Sequence, residues 1–254
     1  MNSEFNHPLL IFGVSFFVLW LTAWVGWSAL RKRRGLDEEA REDFGVVLGA
    51  ALTLLALLIG FSFSMAISRY DLRKNYEEAE ANAIGTELVR AGVLPPTDAT
   101  TVRALLSHYL NQRVSFYLTR DEQQLRAINT RTAQLQNDLW AAVQAPATAQ
   151  PNPVMALAVS GMNDVLNSQG YTQAAWWNRI PRAAWGLMAL IAICCNLLVG
   201  YGARNTKEGG LLLILPLIVS IAFLLIADID SPRGGFIHVY PQNLLSLSAS
   251  MPTH

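Results

Sequence analysis

Uncharged apolar positions gather into four long runs along this chain, Pro8–Leu30, Phe44–Ser68, Ala183–Ala203 and Gly209–Ala227, two on either side of a mostly polar middle. Each run supplies the roughly 20 apolar residues that a helix needs to cross a bilayer core. The pattern predicts an all-α integral membrane protein with four transmembrane helices and a helical extramembrane domain inserted between the second and third. No segment alternates apolar and polar with period two, so no strand is expected. The expected divisions are a first transmembrane pair over 1–69, the helical domain over 70–181, a second pair over 182–230 and a tail over 231–254.

The middle region has its own periodicities. Tyr70–Leu94 holds no proline or paired turn signal, with apolar positions at Leu72, Tyr76, Ala79 and Ala83. One helix from Phe44 to about Gly92 is therefore expected, part membrane rod and part stem. Pro95-Pro96 should end it, since proline cannot continue a helix, and Thr97 or Thr100 offers a hydroxyl cap for the next. Val102, Leu105, Leu106, Tyr109, Leu110 and Tyr117 then make one helical stripe. Leu125, Ile128, Leu135, Leu139 and Val143 make another across Asp121–Ala145. Ala145–Pro153 reads as a loop, Pro153–Asn167 as a third helix, and Gly170 as its break. Pro216 is expected to kink the fourth span.

Composition changes this picture little. With 52% hydrophobic residues, and 19 basic against 19 acidic, the chain suits a membrane and carries no excess charge for nucleic acid. Met1–His7 lacks lysine and arginine, and the first run exceeds a signal-peptide core and ends in Arg31-Lys32-Arg33-Arg34. The first span is expected to be retained. Basic residues near the span ends divide almost evenly between the two sides. The Arg31–Arg34 cluster nevertheless favours both termini and the large domain lying outside the cytoplasm. Trp176, Trp177, Trp185, Arg179 and Arg182 read as an interfacial anchor, and Trp20, Trp24 and Trp27 as lipid or helix contacts. Cys194 and Cys195 are adjacent in the third span, where they read as small packing residues.

Catalytic patterns are lacking. His7, His108, His238 and His254 are scattered, and there is no phosphate-binding loop or nucleophile elbow. No enzyme, metal or cofactor is expected. Glu77, Glu78 and Glu80 read as a solvated stem face, with a cation site as the alternative.

The second span holds the candidate site. Gly49, Thr53, Ala56, Gly60, Ser64 and Ser68 recur at steps of three and four, a small and weakly polar stripe for close helix packing or for lining an aqueous path. Leu55, Ile59, Phe63 and Ile67 form an adjacent apolar stripe. In a ring of subunits, Ile59, Phe63 and Ile67 could close a pore by dewetting, with Arg69 and Arg73 favouring anions beyond it. At the end of the fourth span, Asp228 and Asp230 oppose the helix dipole and call for a partner, Arg233 or a basic stem residue, as a structural lock; an ion-binding site is the alternative.

The segments Leu58-Ile59-Gly60-Phe61-Ser62-Phe63-Ser64-Met65-Ala66, Arg69-Tyr70-Asp71-Leu72-Arg73, Glu80-Ala81-Asn82-Ala83-Ile84-Gly85-Thr86 and Asp228-Ile229-Asp230-Ser231-Pro232-Arg233-Gly234-Gly235 resemble the bestrophin-like bacterial membrane proteins. A more distant likeness to the bestrophins implies a homo-oligomeric, pentameric anion channel in the bacterial plasma membrane. Its second span would line the pore, and Ile59, Phe63 and Ile67 would form the neck. It also implies a cytoplasmic domain, opposite to the Arg31–Arg34 reading, so sidedness stays open. The rival expectation is a non-conducting scaffold or sensor whose extramembrane helices bind a partner.

Overall fold

The computed structural model describes residues 7–30, 38–203 and 210–251. The Arg31–Arg34 cluster, Arg204 and Lys207 lie outside them, so the sidedness expectation that rests on those residues does too. Among the described residues every regular element is helical, and four helices are long and apolar enough to cross a membrane.

Helix α1 covers Pro8–Val25 and closes in a wider π turn, Gly26–Leu30. Proline at its first position forfeits only an N–H that would lack a helical partner anyway. The hydroxyls of Ser15 and Thr22 donate back to the carbonyls of Phe12 and Leu19, at 3.1 and 2.8 Å, as apolar surroundings demand.

Helix α2 runs unbroken over Glu38–Arg90, 53 residues, about 80 Å at about 1.5 Å per residue. It starts six residues before the expected Phe44. A bilayer core accommodates only about 20 of its residues, which the uncharged 44–68 stretch provides; beyond Arg69 the helix is too polar to remain in lipid. A short 3₁₀ turn, Ala91–Val93, and Pro95 end it.

Helices α3 (Pro96–Leu118), α4 (Glu122–Ala149) and α5 (Pro153–Trp177) follow. Helix α3 starts on Pro96 with no side-chain cap, so neither Thr97 nor Thr100 plays the expected part; the Thr100 hydroxyl donates to the Pro96 carbonyl instead. Asp121 caps α4 by accepting from the Gln124 N–H at 2.8 Å, and Asn152 caps α5 through the N–H groups of Val154 and Met155.

The expected loop over Ala145–Pro153 shortens to residues 150–152, and the break at Gly170 is overturned. Helix α4 passes through Pro146, whose ring is buried and whose carbonyl accepts from the Gln150 N–H. Helix α5 passes through Gly170, which brings Thr172 and Trp176 beyond it into the core. Burial outweighs local propensity at both places.

Helices α6 (Arg182–Gly202) and α7 (Leu211–Asp230) are the remaining spans, and α8 (Gln242–Ser250) closes the described chain. Pro216 sits in the second turn of α7, within a continuous helix.

The described residues divide into two compact units. One draws on Met1–Arg69 and Arg179–His238, the other on Tyr70–Asn178 and Val239–His254. In the first, α1 packs on α6 and α7 around Leu19, Leu55, Met188, Ala192, Cys195, Val219 and Phe223. Glycines set that approach: a Cβ on Gly200 would strike the Ala23 carbonyl, and one on Gly26 the Leu197 carbonyl. The core of the second unit joins Ile84, Val102, Leu106, Tyr109, Phe116, Leu139, Val143, Met162 and Leu244.

Trp176 belongs to that second core, 5% exposed and packed against Phe116 and Tyr117. Its expected place in the headgroup layer is corrected accordingly. Trp185 packs edge-on to Phe223 at 5.9 Å, while Trp177 stays exposed.

Candidate functional site

A helix turns about 100° per residue, so every third or fourth position of α2 shares a face. Leu55, Ser62 and Ala66 are buried against the rest of their unit, with Ile59 half-buried beside them. Gly49, Thr53, Ala56, Gly60, Ser64 and Ser68 occupy the opposite side, and all six are exposed in the single chain. Phe63 and Ile67, at 36% and 38% exposure, flank that stripe. The Thr53 hydroxyl donates to the Gly49 carbonyl at 2.9 Å, so its polarity is met within the helix.

Arg69 and Arg73 are not brought to this face. By helical spacing both fall on the side of Leu55 and Ala66. The Arg69 guanidinium lies 3.5 Å from an Asp230 carboxylate oxygen, and Arg73 is 1% exposed.

The end of α7 is a second built feature. The two Asp228 oxygens accept from the N–H groups of Phe236 and Ile237, at 2.7 and 2.8 Å. This folds the Ser231–Gly235 turn back over the helix end. Gly235 is required there, because a Cβ would lie 2.5 Å from the Asp228 carbonyl oxygen. Asp230 accepts from the Ile180 N–H through both oxygens, at 3.2 and 3.1 Å, besides its ion pair with Arg69. Burial draws the Arg179 guanidinium below its ordinary range, and the Asp230 charge opposes that shift. Arg233 is half-buried in the same turn.

The likeness to known proteins is decided by a family model. A bestrophin-like domain matches residues 14–244. The chain belongs to the bestrophin-like family. No curated protein matches it. Among solved structures it is similar to a bacterial bestrophin homologue from Klebsiella pneumoniae, at 12% identity and a TM-score of 0.65, covering 96% of this chain and 99% of that one. Two single-substitution variants of that homologue match at 13% identity. Their TM-scores are 0.66 and 0.63, covering 98% and 93% of this chain and 100% and 98% of theirs. This bestrophin-like chain therefore shares their fold over nearly its whole length.

The second unit of the bestrophin-like chain contains polar chemistry that the sequence reading missed. Glu77 and Glu80 are 1% and 0% exposed, which overturns the solvated stem face expected for them; of the three acidic neighbours only Glu78 is exposed. Glu80 receives the Arg113 Nε–H in a very short contact and the Arg113 Nη2–H at 3.4 Å, with the Tyr117 hydroxyl and the Thr172 hydroxyl each donating at 3.2 Å. Burial alone would lower the Arg113 guanidinium, but the Glu80 charge against it holds it above its ordinary value. Burial and the same charge both push the Tyr117 phenol up, so it stays a donor at any physiological pH.

Glu77 accepts from the N–H groups of Asn243 and Leu244, both at 3.0 Å, and from the Asn243 side-chain amide at 2.6 Å. It thus caps the first turn of α8 from a distant helix, with the charge sign the helix dipole favours. A readable signal existed: Arg73, Glu77, Glu80, Ile84, Glu87 and Ala91 recur at steps of three and four. The partners that satisfy the face, Arg113 by charge and Asn243 by hydrogen bonds, stand too far along the chain for periodicity to join them.

Proposed function

We propose that this bestrophin-like protein is a homo-oligomeric membrane channel for small ions, with anions as the expected class and α2 lining the path. The second unit is read as a water-facing domain inserted between the second and third spans. The observation that carries the proposal is the division of α2 within the membrane. One face is buried in its own chain, and the other leaves Thr53, Gly60, Ser64 and Ser68 with Phe63 and Ile67 uncovered. A stripe of small, weakly polar residues on a bare membrane face favours close approach of a neighbouring helix, or water, over lipid. The bestrophin likeness supplies the rest: a ring, a pore along the second span, and a neck, for which Phe63 and Ile67 stand on the uncovered face while Ile59 is half-buried against its own unit.

Within this reading the neck gates by excluding water. Arg69 enters only indirectly, since Asp230 offsets its charge; Arg73, fully buried, is likewise no lining group. The end of α7, with Asp228, Asp230 and Arg233, serves as a structural lock. Purified protein in liposomes should pass chloride, and Phe63→Ala and Phe63→Asp should change that flux in opposite directions. Flux identical to empty liposomes, or conductance unchanged by both substitutions, rejects the channel and the gate respectively.

A groove of about 470 Å³, lined by Trp140, Pro151, Met155 and Val159 between α4 and α5, favours the second reading, a scaffold or sensor with a bound partner. A monomeric particle in detergent with no flux would select it.

A further inference from the structure

Glu87 is the one carboxylate of the buried α2 face without a hydrogen bond among the described residues: it is 0% exposed, and neither oxygen has a hydrogen-bond partner. Above it lies Gly161 of α5. A Cβ there would strike a Glu87 oxygen, and would stand 2.6 Å from an Arg90 nitrogen and 2.9 Å from the Arg90 Cδ. The glycine lets α5 settle directly onto the carboxyl, and the ends of Glu87 and Arg90 converge on the same point.

The Arg90 guanidinium is held instead by Asp164 of α5, at 3.8 Å; those side chains are 34% and 63% exposed. From α3, Arg103 donates to the Leu88 carbonyl at 3.4 Å. Among the described residues, the charged groups acting on Glu87 are therefore Arg90 from its own helix and Asp164 from α5, one attractive and one repulsive.

We propose that Glu87, Arg90 and Asp164 form a proton-controlled partner exchange at the contact of α2 with α5. With the Glu87 carboxyl protonated, Arg90 pairs with Asp164 and ties α5 to the end of α2. When Glu87 gives its proton to water, a bare negative charge sits beneath α5 with Arg90 as its nearest cation. Arg90 then turns inward, Asp164 is released to solvent, and the second half of α5 loosens from α2. Burial pushes the Glu87 carboxyl up to about 8, with Arg90 lowering it and Asp164 raising it, so the exchange falls just above neutral pH. The device does not depend on the pore reading.

Hydrogen exchange on the full-length protein in detergent tests it, with each rate corrected for intrinsic exchange at that pH. Peptides of α5 around Asp164 should exchange several-fold faster above a midpoint near pH 8 in the wild type, and at one corrected rate throughout in Glu87→Gln. Asp164→Asn alters an exposed side chain and should fold normally. It removes the partner of Arg90 on α5, so the α5 peptides should exchange at the fast corrected rate at every pH, with no transition near pH 8. A midpoint shared by wild type and Glu87→Gln, no transition in the wild type, or, in Asp164→Asn, either a pH transition or the slow rate that the wild type shows below pH 8, overturns the proposal. The Asp164→Asn arm decides alone if Glu87→Gln does not fold.

Discussion

At the scale of single residues, the second unit is held by charges withdrawn from water. Glu80 and Arg113 are both 0% exposed, and removing either partner strands the other. Arg113→Ala should destabilise the protein by about 3–5 kcal/mol, measured by denaturant unfolding in detergent. Arg113→Lys should recover only part of that, since an ammonium cannot reproduce a two-nitrogen contact. The sequence showed these carboxylates as neighbours in an acidic run, and a run of acids most simply faces water. Their burial became legible only once the fold had brought Arg113, Tyr117 and Thr172 around Glu80. Local pattern carries no information about contacts made 33 to 92 residues away. Two other carboxylates were more readable: Asp228 and Asp230 advertised a need for partners by standing at the wrong end of a helix dipole. Backbone N–H groups, which no sequence pattern displays, turned out to be most of what they found.

Helices as whole elements were the best-read level. Four apolar runs become four apolar helices, and α2 is continuous because nothing between Phe44 and Arg90 breaks it. The misreadings concern endings. Pro146 and Gly170 look like punctuation, yet the Pro146 ring is itself buried and the turns after Gly170 carry buried Thr172 and Trp176. The crossing of α1 and α6 was invisible, because a glycine's purpose depends on what approaches it. Gly200→Ala should push α1 from α6, the new methyl meeting the Ala23 carbonyl carbon at 2.8 Å and the Trp27 nitrogen at 3.0 Å. Lower thermal stability in detergent, with Gly13→Ala as a control in open space, is the expected result. Glu77→Ala should leave the α8 N-terminus uncapped, at a loss of about 1–2 kcal/mol. Faster proteolysis within Gln242–Ser250 would register it.

For the molecule as a whole, Glu87 sets the direction of a pH response. Its carboxyl is raised from 4.5 in the unfolded chain to about 8 in the folded one. The folded state therefore holds the extra proton between those values. Stability contributed by this group is greatest below about pH 4.5, declines as pH rises, and levels off above about 8. A melting temperature that falls from pH 6 to pH 8 in the wild type, and less in Glu87→Gln, is the expected outcome. On the same scale, α2 leaves one membrane face uncovered in a single copy, so native mass spectrometry should show an oligomer and not a lone chain. The family and the fold were legible from the motifs around Ile59, Glu80 and Asp228; periodicity along one chain does not encode whether those helices conduct.

The bond between Glu77 and the start of α8 also fixes when this unit can be finished. Its two ends lie 166 and 167 residues apart, and Leu244 belongs to the same core. During synthesis, Glu77 leaves the ribosome long before Asn243 exists, so the unit must wait, incompletely closed, until translation is nearly over. A chain cut short before Gln242 keeps that carboxylate wet and that core open, and quality-control proteases would meet it as an unfinished product.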